Sequence, residues 1–416
     1  MRHDYREGRL HVDGTDLAEI AAAVGTPCYV YSRAMIEARW RAYDAGFSGR
    51  DHQIFYSVKA NGNLSIIRLL SRLGAGFDIV SGGELERVLA AGARAEDVVF
   101  SGVGKTRDEI ARAIEVGVAC INVESRAELE RISTAAKAFD RRASISVRVN
   151  PDIDPGTHPY ISTGLRENKF GVPLGEVRDI YQAAADDPWL EPIGIASHIG
   201  SQLVSVGPVV DAARQIVELA EDLRAIGIEL DHVDVGGGLG IRYSDERPPE
   251  IDAFVKAICA EIPAHYSVAL EPGRSLVGEA GLLLTRVEYL KRTEAKNFVI
   301  VDAAMNDLIR PALYDAWHDI LPVSEKSAGN EALVCDLVGP VCETGDWLAR
   351  QRELNAAPGD LLAIMGTGAY GFVMTSNYNA RLRPPEVLID TDGFKIIRSR
   401  ETVSGMLASE QDFLIS

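Results

Sequence analysis

Short apolar, β-rich runs alternate with amphipathic stretches between residues 54 and 274. In those stretches apolar residues recur at three- and four-residue spacing, the period of a helix with one buried face. Such alternation favours parallel strands joined by right-handed crossovers. Eight units over about 220 residues fit a (β/α)8 barrel, although a doubly wound open sheet with fewer units is the alternative. The predicted strands are Ile54–Val58, Phe77–Val80, Val98–Phe100, Ala119–Val123, Ile145–Val149, Ile193–His198, His232–Val235 and Val268–Leu270. The predicted helices are Asn63–Leu73, Glu84–Ala91, Arg107–Val116, Ala127–Ala138 and Val210–Ile226.

The pattern changes after Arg274. Short β-like segments separated by turns replace the helical periodicity, which predicts a second, β-rich domain of barrel or sandwich type. The opening segments Leu10–Gly14 and Cys28–Tyr31 are also β-like and are expected to join that domain. Its other predicted strands are Leu282–Leu290, Phe298–Asp302, Leu333–Val338, Leu361–Met365 and Val387–Ile389. The predicted domains are an N-terminal segment over 1–33, a barrel over 34–276 and a β-rich domain over 277–416.

An irregular, polar segment runs from Pro151 to Phe170 and contains three prolines in twenty residues. A long loop of this kind in a compact domain is often functional, and disorder is the alternative. The sequence leaves open whether the loop closes over a site.

Composition and charge narrow the function classes. The chain has 416 residues, 46% of them hydrophobic and 25% charged, which are ordinary values for a globular protein. Its net charge of −18 argues against nucleic acid or an anionic membrane as a partner. Its five cysteines have the spacing of neither a disulfide framework nor a zinc site. The first residues lack the apolar core of a signal peptide, and no apolar run has the length of a membrane helix. We expect a soluble, cytoplasmic protein without a bound metal.

Candidate chemistry collects at the carboxyl ends of the predicted strands, the face where barrel enzymes place their active sites. Lys59 follows the first strand and His198 ends the sixth. The glycine run Gly236–Gly240 follows the seventh strand, and Glu271 and Arg274 follow the eighth. Each residue alone could be a surface charge, a tight turn or a structural group, so the shared placement carries the inference.

Together these groups suit pyridoxal phosphate. A partly buried lysine supplies the neutral amine that a Schiff base needs. Backbone without side chains can cradle a phosphate, and an imidazole can stack on a pyridine ring. A carboxylate can keep the ring nitrogen protonated, so that the cofactor withdraws electrons from the bond being broken. Another phosphorylated ligand would explain the glycines but not the lysine, the histidine and the glutamate together.

The same residues stand in motifs that closely resemble the fold-type III pyridoxal-phosphate enzymes and, within them, the diaminopimelate decarboxylase family. The resemblance covers nearly the whole chain, and the order and number of its motifs make chance improbable. In the barrel region the motifs are Tyr56–Asn61, Phe77–Leu85, Ser101–Lys105, Arg148–Pro151, Lys169–Gly171, His198–Gln202, Gly236–Gly240 and Glu271–Arg274. In the β-rich region they are Asp302–Tyr314, Gly339–Asp346 and Gly368–Gly371.

The resemblance implies roles around the cofactor. Lys59 would carry the Schiff base, His198 would lie against the ring face, and Glu271 would lie beside the pyridine nitrogen. Asp78 and Ser201 would be supporting contacts. The phosphate would be held by Gly237, Gly238, Gly273 and Arg274.

The resemblance also implies how the substrate is held. Arg310 and Tyr314 would join Arg274 on the carboxylate at the end that does not react, since an arginine fork suits a carboxylate. Glu343 would bind the distal ammonium group. Tyr370 would contact both the cofactor and the substrate.

Cys342 would be the proton donor in the family's pattern. There the segment carrying the cysteine and the adjacent glutamate reaches into the site of a partner subunit, which implies a homodimer with shared active sites. A monomer with all groups in one chain is the alternative.

The implied function is decarboxylation of meso-2,6-diaminopimelate to L-lysine and carbon dioxide, the last step of lysine biosynthesis. The alternatives on the same scaffold are decarboxylases of arginine, ornithine or carboxynorspermidine, or of an aminoacyl group, and an amino-acid racemase. Decarboxylases of basic amino acids should prefer an acidic group where Arg310 stands, because their substrates have no distal carboxylate. A non-catalytic homologue should lack Lys59, Cys342 or the β-rich domain.

Overall fold

A computed structural model describes residues 3–154, 163–164, 167–325 and 332–415. Residues 155–162 and 165–166 of the irregular loop that begins at Pro151 therefore lie outside the described residues. The chain forms two compact units, here called the barrel unit and the β unit. The barrel unit comprises Glu37–Ile241 and Glu246–Leu276. The β unit comprises Met1–Ile36, Arg242–Asp245 and Val277–Ser416.

The barrel unit contains a closed parallel sheet. Among the described residues, eight strands follow one another around it in chain order, and the last pairs with the first through Val268 and His52. The closed ring confirms the predicted (β/α)8 barrel over the open sheet. The strands are His52–Ser57, Gly76–Ile79, Val98–Phe100, Cys120–Val123, Ala143–Asn150, Leu190–Ser197, His232–Asp234 and Ser267–Leu270. A two-residue strand, Val172–Pro173, pairs with the fifth of these beyond the ring.

Helices connect the barrel strands, and the predicted ones are confirmed to within a few residues. Side-chain caps fix where several begin. Ser81 and Ser125 each accept the N–H three residues on, and Thr106 forms a capping box with Glu109. The helices of this part of the chain are Arg33–Gly46, Leu64–Arg72, Gly82–Ala90, Arg107–Val116, Arg126–Ala138, Leu174–Ala185, Gly207–Ala225, Ile251–Glu261 and Arg274–Val277. Leu174–Ala185 and Ile251–Glu261 were not predicted, and neither has a side-chain cap to mark its start.

The β unit is built from a long, mixed sheet. Its central strand, Gly281–Arg292, pairs with Cys28–Ser32, Asn297–Val301 and Leu361–Met365. The remaining strands are His3–Arg6, Arg9–Val12, Thr15–Asp16, Ile320–Pro322, Leu333–Val338, Trp347–Leu354, Glu386–Asp390 and Gly393–Arg398. The short helices are Leu17–Val24, Arg310–Tyr314 and Val403–Leu407. The predicted strands are all present, whereas Trp347–Leu354 was missed because its charged outer half, Arg350–Glu353, breaks the apolar run.

The N-terminal region belongs to the β unit, as predicted. Cys28–Ser32 lies between Gly281–Arg292 and Glu386–Asp390, antiparallel to the first and parallel to the second. The buried core of the unit therefore combines side chains from both ends of the chain. Its members are Leu10, Val12, Leu17, Ile20, Ala21, Cys28, Val30, Leu282, Leu284, Val323, Ala363, Val387 and Ile389.

Two features are absent from the described residues. Within the described ranges, no helix combines the length and apolar character needed to span a membrane. The same part of the chain contains no cluster of three or more histidine, cysteine or acidic side chains arranged to hold a metal ion.

Candidate active site

Lys59 lies where the first barrel strand ends. The strand His52–Ser57 runs into a 3-10 turn, Val58–Ala60, which carries the lysine. Lys59 Nζ donates to Asp78 Oδ2 at 2.8 Å, and Ser57 Oγ donates to the same oxygen at 3.0 Å. Because Asp78 is fully buried on the second strand, its carboxylate fixes the direction of the amine.

His198 follows the sixth strand, and its ring and its backbone are both fixed. Its Nδ1 accepts the N–H of Gly237 at 3.2 Å, which places the ring proton on Nε2. Its carbonyl oxygen accepts Thr163 Oγ1 at 2.8 Å and Arg148 Nη2 at 3.4 Å. Burial, followed by the charges of Arg148 and Lys59, lowers the pKa of His198 well below its ordinary value. The imidazole is therefore neutral at physiological pH.

The glycine run after the seventh strand packs against neighbouring backbone. A Cβ on Gly237 would lie 2.2 Å from the carbonyl oxygen of Glu271, and one on Gly236 would lie 2.7 Å from His198 Nδ1. Gly238 has φ +109°, a conformation that residues with side chains rarely adopt. Glycine is thus required for the seventh-strand loop to reach both the sixth and the eighth strand ends.

Glu271 closes the eighth strand and points into the barrel mouth. Its N–H donates to the carbonyl oxygen of Gly236 at 2.7 Å. Burial, followed by the neighbouring Asp234 and Asp78, raises the pKa of Glu271 well above its ordinary value. An approaching cation would stabilise the ionised form of this carboxylate.

Asp234, at the end of the seventh strand, is the carboxylate next to Glu271. Its Oδ1 accepts the N–H of Gly236 at 2.7 Å. The pKa of Asp234 is raised to about 6 because the effect of burial outweighs the opposite effects of its hydrogen bonds with the Gly236 N–H and with Glu271. The sequence prediction did not include this residue, although an acid inside the apolar run His232–Val235 is a usable signal.

Arg274 begins the short helix after the eighth strand. Its Nε and Nη2 donate to Ser201 Oγ at 3.2 and 3.1 Å. Gly273 lies beside the lysine turn, where an added Cβ would lie 3.0 Å from the Ser57 Cβ and 3.1 Å from the Ala60 Cβ. The predicted residues Ser201, Gly273 and Arg274 thus lie on loops that meet at the same end of the barrel.

Arg148 and Glu124 form a buried ion pair that sequence reasoning did not assign to the site. Arg148 Nη1 donates to Glu124 Oε1 at 2.9 Å, and Glu124 Oε2 accepts the N–H of Gly171 at 2.8 Å. The guanidinium lies over the ring of Phe170 at 4.9 Å. A charged residue inside the fifth barrel strand was the available signal, because buried charges need a partner.

Lys59, Arg148, His198 and Glu271 line one cavity of about 550 Å³ at the carboxyl ends of the barrel strands. Its walls combine an amine, a neutral imidazole, a buried carboxylate and small residues, which is the set that pyridoxal phosphate requires. A protonated pyridine nitrogen beside Glu271 would favour the ionised carboxylate and so offset the burial that raises the pKa of Glu271. The cavity therefore fits the cofactor. Its lining residues are Lys59, Val80, Ser81, Ser101, Gly102, Val103, Gly104, Glu109, Asn122, Arg148, Thr163, Phe170, Ala196, Ser197, His198 and Glu271.

The remaining predicted residues lie in the β unit. Arg310 and Tyr314 lie at the two ends of one short helix, and the Arg310 guanidinium carbon is 5.9 Å from the Tyr314 ring centre. Arg310 is buried, with 6% of its surface exposed. Tyr370 lies in the turn after Leu361–Met365 and has φ +55°.

Cys342 and Glu343 lie on an exposed turn of the β unit. The backbone N–H of Cys342 donates to Asn379 Oδ1 at 2.8 Å. A hydrogen bond to Glu343 raises the pKa of Tyr378, so the glutamate and the tyrosine are also in contact. The turn is thus tied to the segment around Tyr378 rather than projecting alone.

Comparison with known proteins agrees with this geometry. Residues 33–278 match the family described as pyridoxal-dependent decarboxylase, pyridoxal binding domain. The barrel, its lysine and this match define the class, the pyridoxal-dependent decarboxylases.

Full-length relatives narrow the class. The diaminopimelate decarboxylase of Pseudomonas aeruginosa is 54% identical over 407 residues, 98% of each chain. That of Vibrio cholerae is 50% identical over 410 residues, again 98% of each. The crystal structure of the Helicobacter pylori diaminopimelate decarboxylase complexed with L-lysine is 41% identical, with a TM-score of 0.92 over 96% of this chain and 100% of that one. The chain belongs to the diaminopimelate decarboxylase family.

Proposed function

We propose that the protein decarboxylates meso-2,6-diaminopimelate to L-lysine and carbon dioxide, with pyridoxal phosphate as its cofactor. The observation that supports the proposal most directly is that Lys59, His198 and Glu271 all line the same cavity. Family membership supports the choice of substrate. The reaction is the last step of lysine biosynthesis.

Residues of the barrel unit would hold the cofactor, in line with a functional barrel domain over residues 34–276. Lys59, directed by Asp78, is the amine that would bind it covalently. His198 would cover one ring face, and its neutral state avoids a second cation next to Lys59. Glu271 would face the ring nitrogen. Backbone at Gly237, Gly238 and Gly273, together with Arg274 and Ser201, would hold the phosphate.

Decarboxylation breaks one carbon–carbon bond and leaves its electron pair on the α-carbon. Bound pyridoxal phosphate supplies the electron sink for that pair. A proton must then be added to the same carbon, and we assign Cys342 as its donor. Lys59 would supply the amine that takes the place of the product amine on release.

Residues of the β unit would select the substrate, in line with a second domain over residues 277–416. Arg310 and Tyr314 would bind the distal carboxylate, and Glu343 the distal ammonium group. Tyr370 would contact both ligands. Arginine, ornithine and carboxynorspermidine lack the distal carboxylate, so the buried Arg310 disfavours them as substrates.

We further propose a cytoplasmic homodimer with shared active sites. Apolar side chains near the substrate-binding segments are 41 to 43% exposed, which favours coverage by a second subunit. They are Leu313, Trp317, Val373 and Tyr378. All five cysteines of the chain are free thiols, as expected in a reducing compartment.

Product analysis tests the function. Purified holoenzyme is incubated with meso-, LL- and DD-diaminopimelate, and carbon dioxide and L-lysine are quantified. We expect equal amounts of the two products from the meso isomer. Carbon dioxide from ornithine or arginine, with none from meso-diaminopimelate, would assign the chain to another decarboxylase.

Subunit mixing tests the shared site. Lys59→Ala and Cys342→Ala proteins are each inactive by expectation. After verified subunit exchange, a mixed dimer contains one site with both native residues if sites are shared, and activity should reach about a quarter of wild type for random pairing. No rescue would mean that each site is built from one chain.

A further inference from the structure

The guanidinium of Arg310 lies in a cage of aromatic and histidine side chains within the β unit. Its central carbon is 4.9 Å from the ring centre of Tyr243 and 5.9 Å from that of Tyr314. Its Nε donates to His318 Nε2 at 3.5 Å. Tyr243 and His318 pack edge to face with ring centres 5.3 Å apart. Neither Tyr243 nor His318 was predicted from the sequence as a functional residue.

His318 is held in one tautomer by a backbone contact. Its Nδ1 lies 2.8 Å from the carbonyl oxygen of Met365. A carbonyl oxygen only accepts, so Nδ1 carries the proton and Nε2 of the neutral ring presents a lone pair to Arg310. His318 is 1% exposed, so water does not compete for that lone pair.

Other charges near His318 favour the same neutral state. Arg352 Nη2 donates to the His318 carbonyl oxygen at 2.9 Å, which brings a second guanidinium close to the residue. The nearest acid along the chain, Asp319, accepts Trp317 Nε1 at 2.9 Å. A protonated imidazole beside the Arg310 guanidinium would put two positive charges together, which is unfavourable in a buried setting.

The two rings support each other, because Tyr243 and His318 pack edge to face and His318 is hydrogen-bonded to the Met365 carbonyl oxygen. Arg310 therefore meets a prearranged acceptor and a prearranged ring face.

We propose that His318 and Tyr243 are positioning residues that orient Arg310 for the carboxylate at the non-reacting end of the substrate. The inference rests on the proposed role of Arg310. His318 engages Nε, and the terminal nitrogens of the fork would bind the carboxylate. Tyr243 supports the flat face of the guanidinium and prevents it from tilting.

The consequence is a specificity effect rather than a chemical one. The distal carboxylate is bound equally before and during bond cleavage, so loosening Arg310 should raise KM and leave kcat nearly unchanged. Binding of the cofactor should not change. Ligands without the carboxylate should not sense the substitution.

Two probes isolate this effect. L-lysine has a carboxylate, whereas cadaverine is the same diamine without it. Their dissociation constants from the holoenzyme are measured by isothermal titration calorimetry, and cofactor content is checked for each protein. We expect the wild-type enzyme to bind L-lysine more tightly than cadaverine.

Two substitutions at His318 separate its contacts. His318→Asn can still donate to the Met365 carbonyl but offers no acceptor at Nε2, so L-lysine should bind about tenfold more weakly. His318→Gln can extend an amide oxygen toward Arg310 and should recover part of that loss. Neither should change cadaverine binding. Tyr243→Phe keeps the ring face and serves as the matched control, whereas Tyr243→Leu should weaken L-lysine binding.

The outcomes distinguish the two levels of the proposal. If the wild type does not prefer L-lysine to cadaverine, the assignment of Arg310 in the proposed function is wrong. If it does, and His318→Asn shows the same preference, the positioning role of His318 is wrong while the proposed function stands. If His318→Asn weakens the binding of L-lysine and of cadaverine equally, His318 has a structural role only, and the inference is also overturned.

Discussion

The two units present their candidate residues in different ways. In the barrel unit Lys59, His198 and Glu271 line one cavity, and buried partners already hold two of them: Asp78 holds Lys59, and Gly237 holds His198. In the β unit Arg310 is buried in its cage, whereas Cys342 and Glu343 are exposed. The difference indicates that the barrel residues are preorganised for a cofactor, whereas the candidate substrate residues Cys342 and Glu343 are exposed on the surface of the β unit.

The difference follows from the two architectures. A closed parallel barrel brings every strand end to one rim, so residues far apart in sequence meet there by topology alone. The mixed sheet of the β unit has no such rim, and its candidate residues are carried on connections of different length. Substitutions in the two units should therefore differ in size.

The largest expected effect is on chemistry in the barrel. Lys59→Ala should reduce kcat by at least about a thousandfold, because Lys59 is the one lysine among the described residues that line the cavity. Carbon dioxide release under saturating substrate measures it, with circular dichroism to verify folding. Appreciable turnover by cofactor-loaded Lys59→Ala protein would contradict the role assigned to this residue.

The next largest effect is on stability and concerns a buried ion pair of the barrel unit. Lys105 Nζ donates to Glu128 Oε1, the Asn122 carbonyl and the Gly102 carbonyl at 2.7, 2.7 and 2.8 Å, and its side chain is fully buried. Lys105→Met leaves the Glu128 carboxylate without its cation and should lower the free energy of unfolding by about 4 kcal/mol. Urea unfolding measures it.

A double substitution is the control for that prediction. Lys105→Met with Glu128→Leu removes both charges, so most of the lost stability should return. If the double variant is as unstable as the single one, packing and not the unpaired carboxylate is the cause.

A smaller effect concerns pH and an acid near the lysine. Glu84 Oε2 accepts the N–H of Val80 at 2.7 Å, and burial raises the pKa of Glu84 from 4.5 to about 7. The folded state keeps this proton to higher pH than the unfolded state, so the contribution of Glu84 to stability is present below pH 4.5 and is lost as pH rises to 7.

Glu84→Gln should remove the pH-dependent loss of stability, since an amide cannot ionise and its oxygen can still accept the Val80 N–H. The free energy of unfolding of the variant relative to wild type should increase by about 2 kcal/mol between pH 4.5 and 7.5. Parallel pH profiles of the two proteins would show that Glu84 ionises normally in the folded state.

The smallest effect is expected in the β unit. Lys296 Nζ pairs with Asp336 Oδ2 at 2.5 Å, but the lysine side chain is 45% exposed. Lys296→Met should cost less than about 1 kcal/mol, because water screens and replaces the pair. A loss as large as that of Lys105→Met would break the contrast between the two units.

The strands and helices that depend on local sequence pattern could be predicted from the sequence. Apolar runs and helical periodicity located the barrel strands, and the closed pairing confirmed them. The candidates at the strand ends followed from one topological rule. The helix Leu174–Ala185, which has no side-chain cap, and the half-charged strand Trp347–Leu354 were missed because their local signals are weak.

The glycine run has a packing role that the sequence did not predict. The run Gly236–Gly240 was interpreted as a phosphate cradle, which stays a prediction. The structure adds that Gly236 and Gly237 are needed for close packing against His198 and the Glu271 carbonyl. A sequence shows where a glycine stands, but it does not show which neighbouring residue would clash with a larger side chain at that position.

The sequence by itself determined the barrel, the β-rich region and the residue types from which a pyridoxal-phosphate site can be made. Only the tertiary structure decided the partners: Asp234 beside Glu271, Glu124 beside Arg148, and His318 beside Arg310. The physical reason is that periodicity and propensity act over neighbouring residues. Burial, charge pairing and hydrogen bonding act between side chains that only the folded chain brings within a few ångströms.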